Sequence, residues 1–143
     1  MSQEQLYNDA LVALAKANHR GGRLTEPHAS VTRDNPLCGD RVTLDVALMD
    51  GRVADLAQKT RGCLLTQAAA SLIGSHAAAL EPDEVKQAMA ELERLLRGEA
   101  VVAPSWPELA LFAPVAAVRS RHECVLLPFR ALTEALEEAA DER

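Results

Sequence analysis

Val42-Thr43-Leu44-Asp45-Val46-Ala47-Leu48-Met49-Asp50-Gly51-Arg52 is the stretch whose reading decides the fold. Val42, Leu44, Val46 and Leu48 alternate with Thr43, Asp45, Ala47 and Met49. That period of two sets one face of a strand against a core. Asp50-Gly51 follows, and both residues tolerate the positive φ that a two-residue hairpin turn demands. The chain is therefore expected to return over residues 52–60 as an antiparallel partner. Upstream, residues 29–33 read as a short edge strand. Asn35-Pro36 closes it, because a residue before proline is driven to an extended conformation.

Outside this hairpin the period becomes helical. Leu6, Ala10, Ala13, Leu14 and Ala17 mark an amphipathic first helix over residues 3–17, broken by His19-Arg20-Gly21-Gly22. Residues 63–80, rich in Ala and Leu after Gly62, read as a mostly buried helix. The next helix starts at Pro82, allowed in a first turn, carries Val85, Met89, Leu92 and Leu96, and stops at Gly98. Pro104, Pro107 and Pro114 make residues 99–114 irregular or short-helical. A last helix runs from near His122 to about Ala140, with Val125, Phe129, Leu132 and Leu136 on its apolar stripe. This order defines an α+β class: a small antiparallel sheet of about three strands covered by helices, one domain over residues 1–143.

The composition excludes several function classes. The 143 residues, 48% of them hydrophobic, suffice for a core that needs neither disulfide nor metal to fold. Fifteen basic against 21 acidic residues leave a net charge of −6, which argues against a nucleic-acid partner. Tyr7, Trp106, Phe112 and Phe129 are too scattered for a base-stacking platform. Thr66, Gln67, Ser71, Gly74, Ser75 and His76 interrupt the most apolar stretch, so no membrane span is expected. Residues 1–9 are polar and unlike a signal peptide, and the expected location is cytoplasmic. In that reducing compartment an odd set of cysteines, Cys38, Cys63 and Cys124, speaks against disulfides. Metal binding or thiol chemistry is the first alternative, and packing as small buried hydrophobes is the second.

All three cysteines fall at element ends. Cys38 precedes the long strand, Cys63 opens a helix after Gly62, and Cys124 lies in the first turn of the last helix. A helix N-terminus stabilises a thiolate, so Cys63 and Cys124 are expected to be the more thiolate-like pair. Asp40 follows Cys38 at two residues' spacing and can turn its carboxylate toward the same centre. Three thiolates and a carboxylate make a tetrahedral set for zinc, or for the irons of a cluster. The cysteines are 25 and 61 residues apart in sequence, so tertiary structure must assemble the site.

Asn35-Pro36-Leu37-Cys38-Gly39-Asp40, Thr60-Arg61-Gly62-Cys63 and Arg121-His122-Glu123-Cys124, in that order, resemble the IscU/SufU family. These are the NifU N-terminal-like proteins of iron–sulfur cluster assembly. The Arg20-Gly21-Gly22-Arg23-Leu24 loop and the Asp50-Gly51 turn fit the same pattern, and the likeness spans residues 6–140. The resemblance implies that Cys38, Cys63 and Cys124 are the sulfur ligands and Asp40 the accompanying carboxylate. It implies a persulfide received from a cysteine desulfurase, with Cys124 as acceptor, and downstream apo iron–sulfur proteins or carriers as further partners. IscU-type scaffolds place His directly before the third cysteine, where this chain has Glu123, and carry a Leu-Pro-Pro-Val-Lys signal that is missing here. The long interval from Cys63 to Cys124 resembles the SufU branch, whose members are similar to zinc-bound sulfurtransferases. The expected function is thus zinc-dependent sulfur relay, in which zinc holds thiolates in reserve until a partner displaces one. Alternatives are a non-enzymatic scaffold for a [2Fe–2S] cluster, and a protein with purely structural zinc.

Other residues carry weaker signals. His122 is a candidate fourth ligand or proton carrier. His19 and His28 read as solvated loop residues, and His76 as the edge of the Ala-rich helix. Glu134, Glu137, Glu138, Asp141 and Glu142 form an acidic helix face. A Cys–His hydrolase pairing Cys124 or Cys63 with His122 or His76 lacks an orienting Asn or Asp.

Overall fold

The computed structural model describes residues 8–141. Three strands, β1 (Ala29–Asn35), β2 (Asp40–Met49) and β3 (Arg52–Arg61), form an antiparallel sheet in the order β1-β2-β3. The β2–β3 turn has Asp50 at φ 53° and Gly51 at φ 77°, as the sequence predicts. Val42, Leu44, Val46 and Leu56 are buried with Phe129, Leu132 and Leu72 in one core. Strand pairing places Asn35 opposite Asp40 and Arg41 opposite Arg61. One end of the sheet therefore brings together the segments that precede Cys38 and Cys63.

Among the described residues four α-helices pack with the sheet: α1 (Asp9–Ala17), α2 (Leu64–His76), α3 (Pro82–Leu96) and α4 (His122–Asp141). α4 packs across β1 and β2, α2 lies against β3, α1 and α4, and α3 against α4. Asn8 caps α1 by accepting from the Leu11 N–H at 3.0 Å; the part of the expected first helix over residues 3–7 lies outside the described residues, as does Glu142. The expected helix over 63–80 ends earlier, at His76, and Ala79 then turns at φ 72°. The Ala79 N–H and the Leu80 carbonyl bond to Val53, so the residual segment fixes the start of β3 instead of extending the helix. α3 begins with Pro82 and a reciprocal capping box between Glu81 and Glu84. The proline-rich stretch takes the short-helical form: Pro107–Ala117 and Arg119–Arg121 are 3-10 helices, and Leu109, Phe112 and Val115 are fully buried.

The loop after α1 lies over the sheet edge. Gly22 N–H donates to the Gln58 carbonyl at 2.9 Å, and Gln58 Nε2 donates to Asn18 Oδ1 at 2.8 Å. Gly74 lets α2 approach this loop, because a Cβ there would collide with the His19 carbonyl. Asp45, at an outward position of β2, is nonetheless fully buried. Arg23 holds it through Nε at 2.7 Å and Nη2 at 3.2 Å, with Ser30 Oγ at 2.6 Å and the Leu24 N–H at 3.0 Å. His28 is likewise more than a solvated loop residue, since its Nδ1 accepts the Leu48 N–H at 3.0 Å.

Burial alone pushes the Asp45 carboxyl up, but hydrogen bonds from Arg23, Ser30 and Leu24 outweigh it and hold the carboxyl below its usual range. A depressed folded value contributes stability above the unfolded value of about 4, and that contribution is lost as pH falls through the folded one. Asp45→Asn is expected to lower stability by about 2 kcal/mol at pH 7. Chemical denaturation at stepped pH will show the difference from wild type shrinking below about pH 4; a difference independent of pH would refute the assignment.

Candidate metal centre

The Asn35–Asp40 turn is built by its own residues. Asn35 is buried, its Oδ1 accepts the Leu37 N–H at 3.1 Å, and its carbonyl accepts the Gly39 N–H at 2.8 Å. Gly39 takes φ 74°, the left-handed conformation that closes the turn at low cost. Cys38 is thereby held at the surface and Asp40 is turned inward, 2% exposed. Asn35 Nδ2 points at Cys124 Sγ from 3.9 Å.

Sulfur and oxygen donors meet here from three elements. Cys38 Sγ and Cys124 Sγ are 3.4 Å apart, and with a carboxylate oxygen of Asp40 they all lie within 4.8 Å of one another. One ion can bridge donors so spaced, and the sulfur-rich chemistry suits zinc or iron. Cys63, the N-cap of α2, joins the group through Asp40: its Sγ is 3.8 Å from Oδ2 and its N–H donates to Oδ1 at 3.0 Å. Thr66, one turn into α2 and fully buried, donates to Asp40 Oδ2 at 2.5 Å and has its Oγ1 3.3 Å from Cys63 Sγ. No motif or spacing in the sequence marks Thr66 as a site residue.

Burial pushes the Asp40 carboxyl up, yet hydrogen bonds from Thr66, Cys38, the Cys63 N–H and Cys124 outweigh it and hold the group below its usual range. Cys124 departs from expectation. It is fully buried, and that burial, then the hydrogen bond with Cys38 and the repulsion of Cys63 and Asp40, pushes its thiol far up. Burial and the neighbouring Cys38, Cys63 and Asp40 thus override the helix-terminus effect expected for Cys124. A cation among these donors would reverse the balance, since a coordinated thiol is deprotonated.

His122 is not part of the donor group. Its Nε2 donates to the carbonyls of Val115 and Ala116 at 3.0 and 3.2 Å, tying α4 to the 3-10 segment. His76 pairs with Glu108 at 2.9 Å and stacks on Trp106 with ring centres 5.1 Å apart, so neither histidine serves a Cys–His hydrolase. Glu123 forms a two-point ion pair with Arg130, both contacts 3.1 Å. That pair spans Pro128, a proline inside α4 that supplies no N–H to the carbonyl of Cys124 four residues earlier. Among the described residues no helix is long and apolar enough to cross a membrane.

Three cysteines and an aspartate gathered at one sheet end, beneath an α-helical layer, define a thiol-centred α+β protein. The sequence profile of the NifU-like N terminal domain matches residues 6–119, and the chain belongs to that family. It is 27% identical over 133 residues to an iron-sulfur cluster assembly scaffold protein IscU of Thermotoga maritima, covering 93% of this chain and 94% of the relative. An IscU scaffold protein of Streptococcus pyogenes serotype M1 is 27% identical over 139 residues, 95% of this chain and 86% of the relative. Among solved structures, a NifU-like N-terminal protein from Brucella abortus superposes with a TM-score of 0.92 at 27% identity, covering 99% of both chains. A putative SUF-system scaffold, SufU of Fervidobacterium islandicum, shares the fold at a TM-score of 0.87, 22% identity, 94% of this chain and 99% of its own.

Gly62 is the steric condition of the centre, because a Cβ there would collide with Asp40 Oδ1. Gly62→Ala is expected to destabilise the protein by about 1–3 kcal/mol through overpacking. In an Asp40→Ala background the same change should cost markedly less, and thermal unfolding of the four proteins of this cycle measures the coupling. Equal costs in both backgrounds would place the strain elsewhere.

Proposed function

We propose that this protein works in iron–sulfur cluster assembly as a zinc-bearing sulfur acceptor for a cysteine desulfurase. The observation that carries the reading is the convergence of Cys38, Cys124 and Asp40 within bonding reach of one ion, with Cys63 alongside. In this reading Cys38, Asp40, Cys63 and Cys124 hold zinc, which supplies thiolate character and protection from oxidation. The chain contributes access and order. Cys38 is the exposed sulfur and Cys124 is buried, so the acceptor role that the family resemblance assigned to Cys124 passes to Cys38. The Cys38 thiolate attacks the terminal sulfur of the desulfurase persulfide, and the enzyme's cysteine thiolate leaves. One sulfur–sulfur bond breaks as another forms, with no external oxidant or reductant. Asn35 fixes the Cys38 turn and Gly62 admits Asp40.

The curated relatives named as cluster scaffolds favour a second reading, in which a [2Fe–2S] cluster is cargo assembled on the same four residues and passed to apo iron–sulfur proteins or carriers. Glu123 is salt-bridged to Arg130 and adds no ligand in either reading.

Anaerobic purification with metal analysis, followed by incubation with a cysteine desulfurase and cysteine, separates these readings. Relay predicts about one zinc per chain, a mass gain of one sulfur atom on Cys38, and faster sulfide release that Cys38→Ala abolishes. Cluster absorbance after addition of iron and sulfide, without sulfur on Cys38, would establish the scaffold instead. Neither result, with zinc retained, would leave a structural metal.

A further inference from the structure

Thr66 is fully buried in the first turn of α2, and its hydroxyl touches two members of the donor set at once. A threonine in a helix ordinarily returns its hydroxyl to a carbonyl of the preceding turn. Here the hydroxyl leaves its own helix. It donates to Asp40 Oδ2 on β2 at 2.5 Å and stands 3.3 Å from Cys63 Sγ. A hydroxyl has one hydrogen and two lone pairs, so it gives that hydrogen to either the carboxylate or the sulfur at a given moment. The other oxygen of Asp40 is already held by the Cys63 N–H at 3.0 Å. Cys63, Thr66 and Asp40 therefore form a closed triangle, which Asp40 joins to Cys38 and Cys124.

We propose that Thr66 is a positioning residue of the metal centre, its hydroxyl setting the Asp40 carboxylate and the Cys63 sulfur at the separation a single ion requires. The inference rests on the reading of Cys38, Asp40, Cys63 and Cys124 as the donor set. Partners that hydrogen-bond ligating carboxylates orient them, and losing one weakens metal affinity by about 10–100-fold. The methyl of Thr66 fills core space, whereas only the hydroxyl reaches Asp40. The two roles are therefore separable by substitution.

Cobalt(II) is the probe, because its visible and thiolate charge-transfer bands report the donor set directly. Wild type, Thr66→Val and Thr66→Ser are titrated with cobalt against a competing chelator, and each is unfolded thermally in excess chelator. Thr66→Val keeps the volume and is expected to bind at least about tenfold more weakly, with displaced bands. Thr66→Ser restores the hydroxyl and is expected to recover the wild-type spectrum and most of the affinity. Thr66→Ala replaces Thr66→Val if the latter does not fold. A hydroxyl-free variant with wild-type spectrum and affinity would overturn the role of Thr66 alone. Equal weakening in Thr66→Ser and Thr66→Val would also overturn it, by assigning the effect to the methyl. A wild-type protein that takes up no cobalt would overturn the donor-set reading and the inference together.

Discussion

The carboxylate of Asp40 is the group on which the arrangement turns. It sits at the first residue of β2, yet it is also bonded to the start of α2, through the Cys63 N–H and the Thr66 hydroxyl, besides its bonds with Cys38 and Cys124. A carboxylate near a helix N-terminus is favoured by the helix dipole and satisfies an otherwise unpaired amide. Cys63 does not cap α2 with its own side chain; its N–H is instead held by Asp40 from β2. One side chain thus joins sheet to helix and meets the sulfurs of Cys38 and Cys124. Structural attachment and ligand chemistry compete for the same two oxygens, and four lone pairs allow both.

The register of the sheet explains why this junction forms where it does. Asn35 faces Asp40 and Arg41 faces Arg61, so the turn holding Cys38 and the residues leading into Cys63 leave the sheet at the same end. α4 crosses β1 and β2 and brings Cys124 to that end, although it is the most distant of the three in sequence. A slip of one residue would send Val42, Leu44 and Val46 to the outer face, and burial of that row therefore also fixes the position of the site.

Much of this was legible in the sequence because it depends on local rules. The alternation through β2, the Asp50-Gly51 turn and the stripe on α4 each follow from a repeating period or a backbone preference. Asn35-Pro36-Leu37-Cys38-Gly39-Asp40 marked the site through its motif. What escaped depends on contacts between distant segments. Asp45 reads as solvent-facing until the Arg23 loop folds over it, and Cys124 reads as a helix-end thiolate until the packing of the chain buries it among the other donors. Three prolines left an irregular or a short-helical connection open, and the burial of Leu109, Phe112 and Val115, which no local rule reveals, goes with the short-helical one. Thr66 is unremarkable in a helix with several small polar residues, and only the approach of Asp40 gives it a role.

The proline within α4 has a mechanical meaning. Without a hydrogen bond from residue 128 to the Cys124 carbonyl, bending of the helix concentrates at that joint. Glu123 and Arg130 form a strut across it on the outer side, while Phe129 and Leu132 clamp the longer arm into the core. The short arm carrying Cys124 is held separately, through His122 on the carbonyls of Val115 and Ala116, so the two halves of α4 are anchored to different parts of the core.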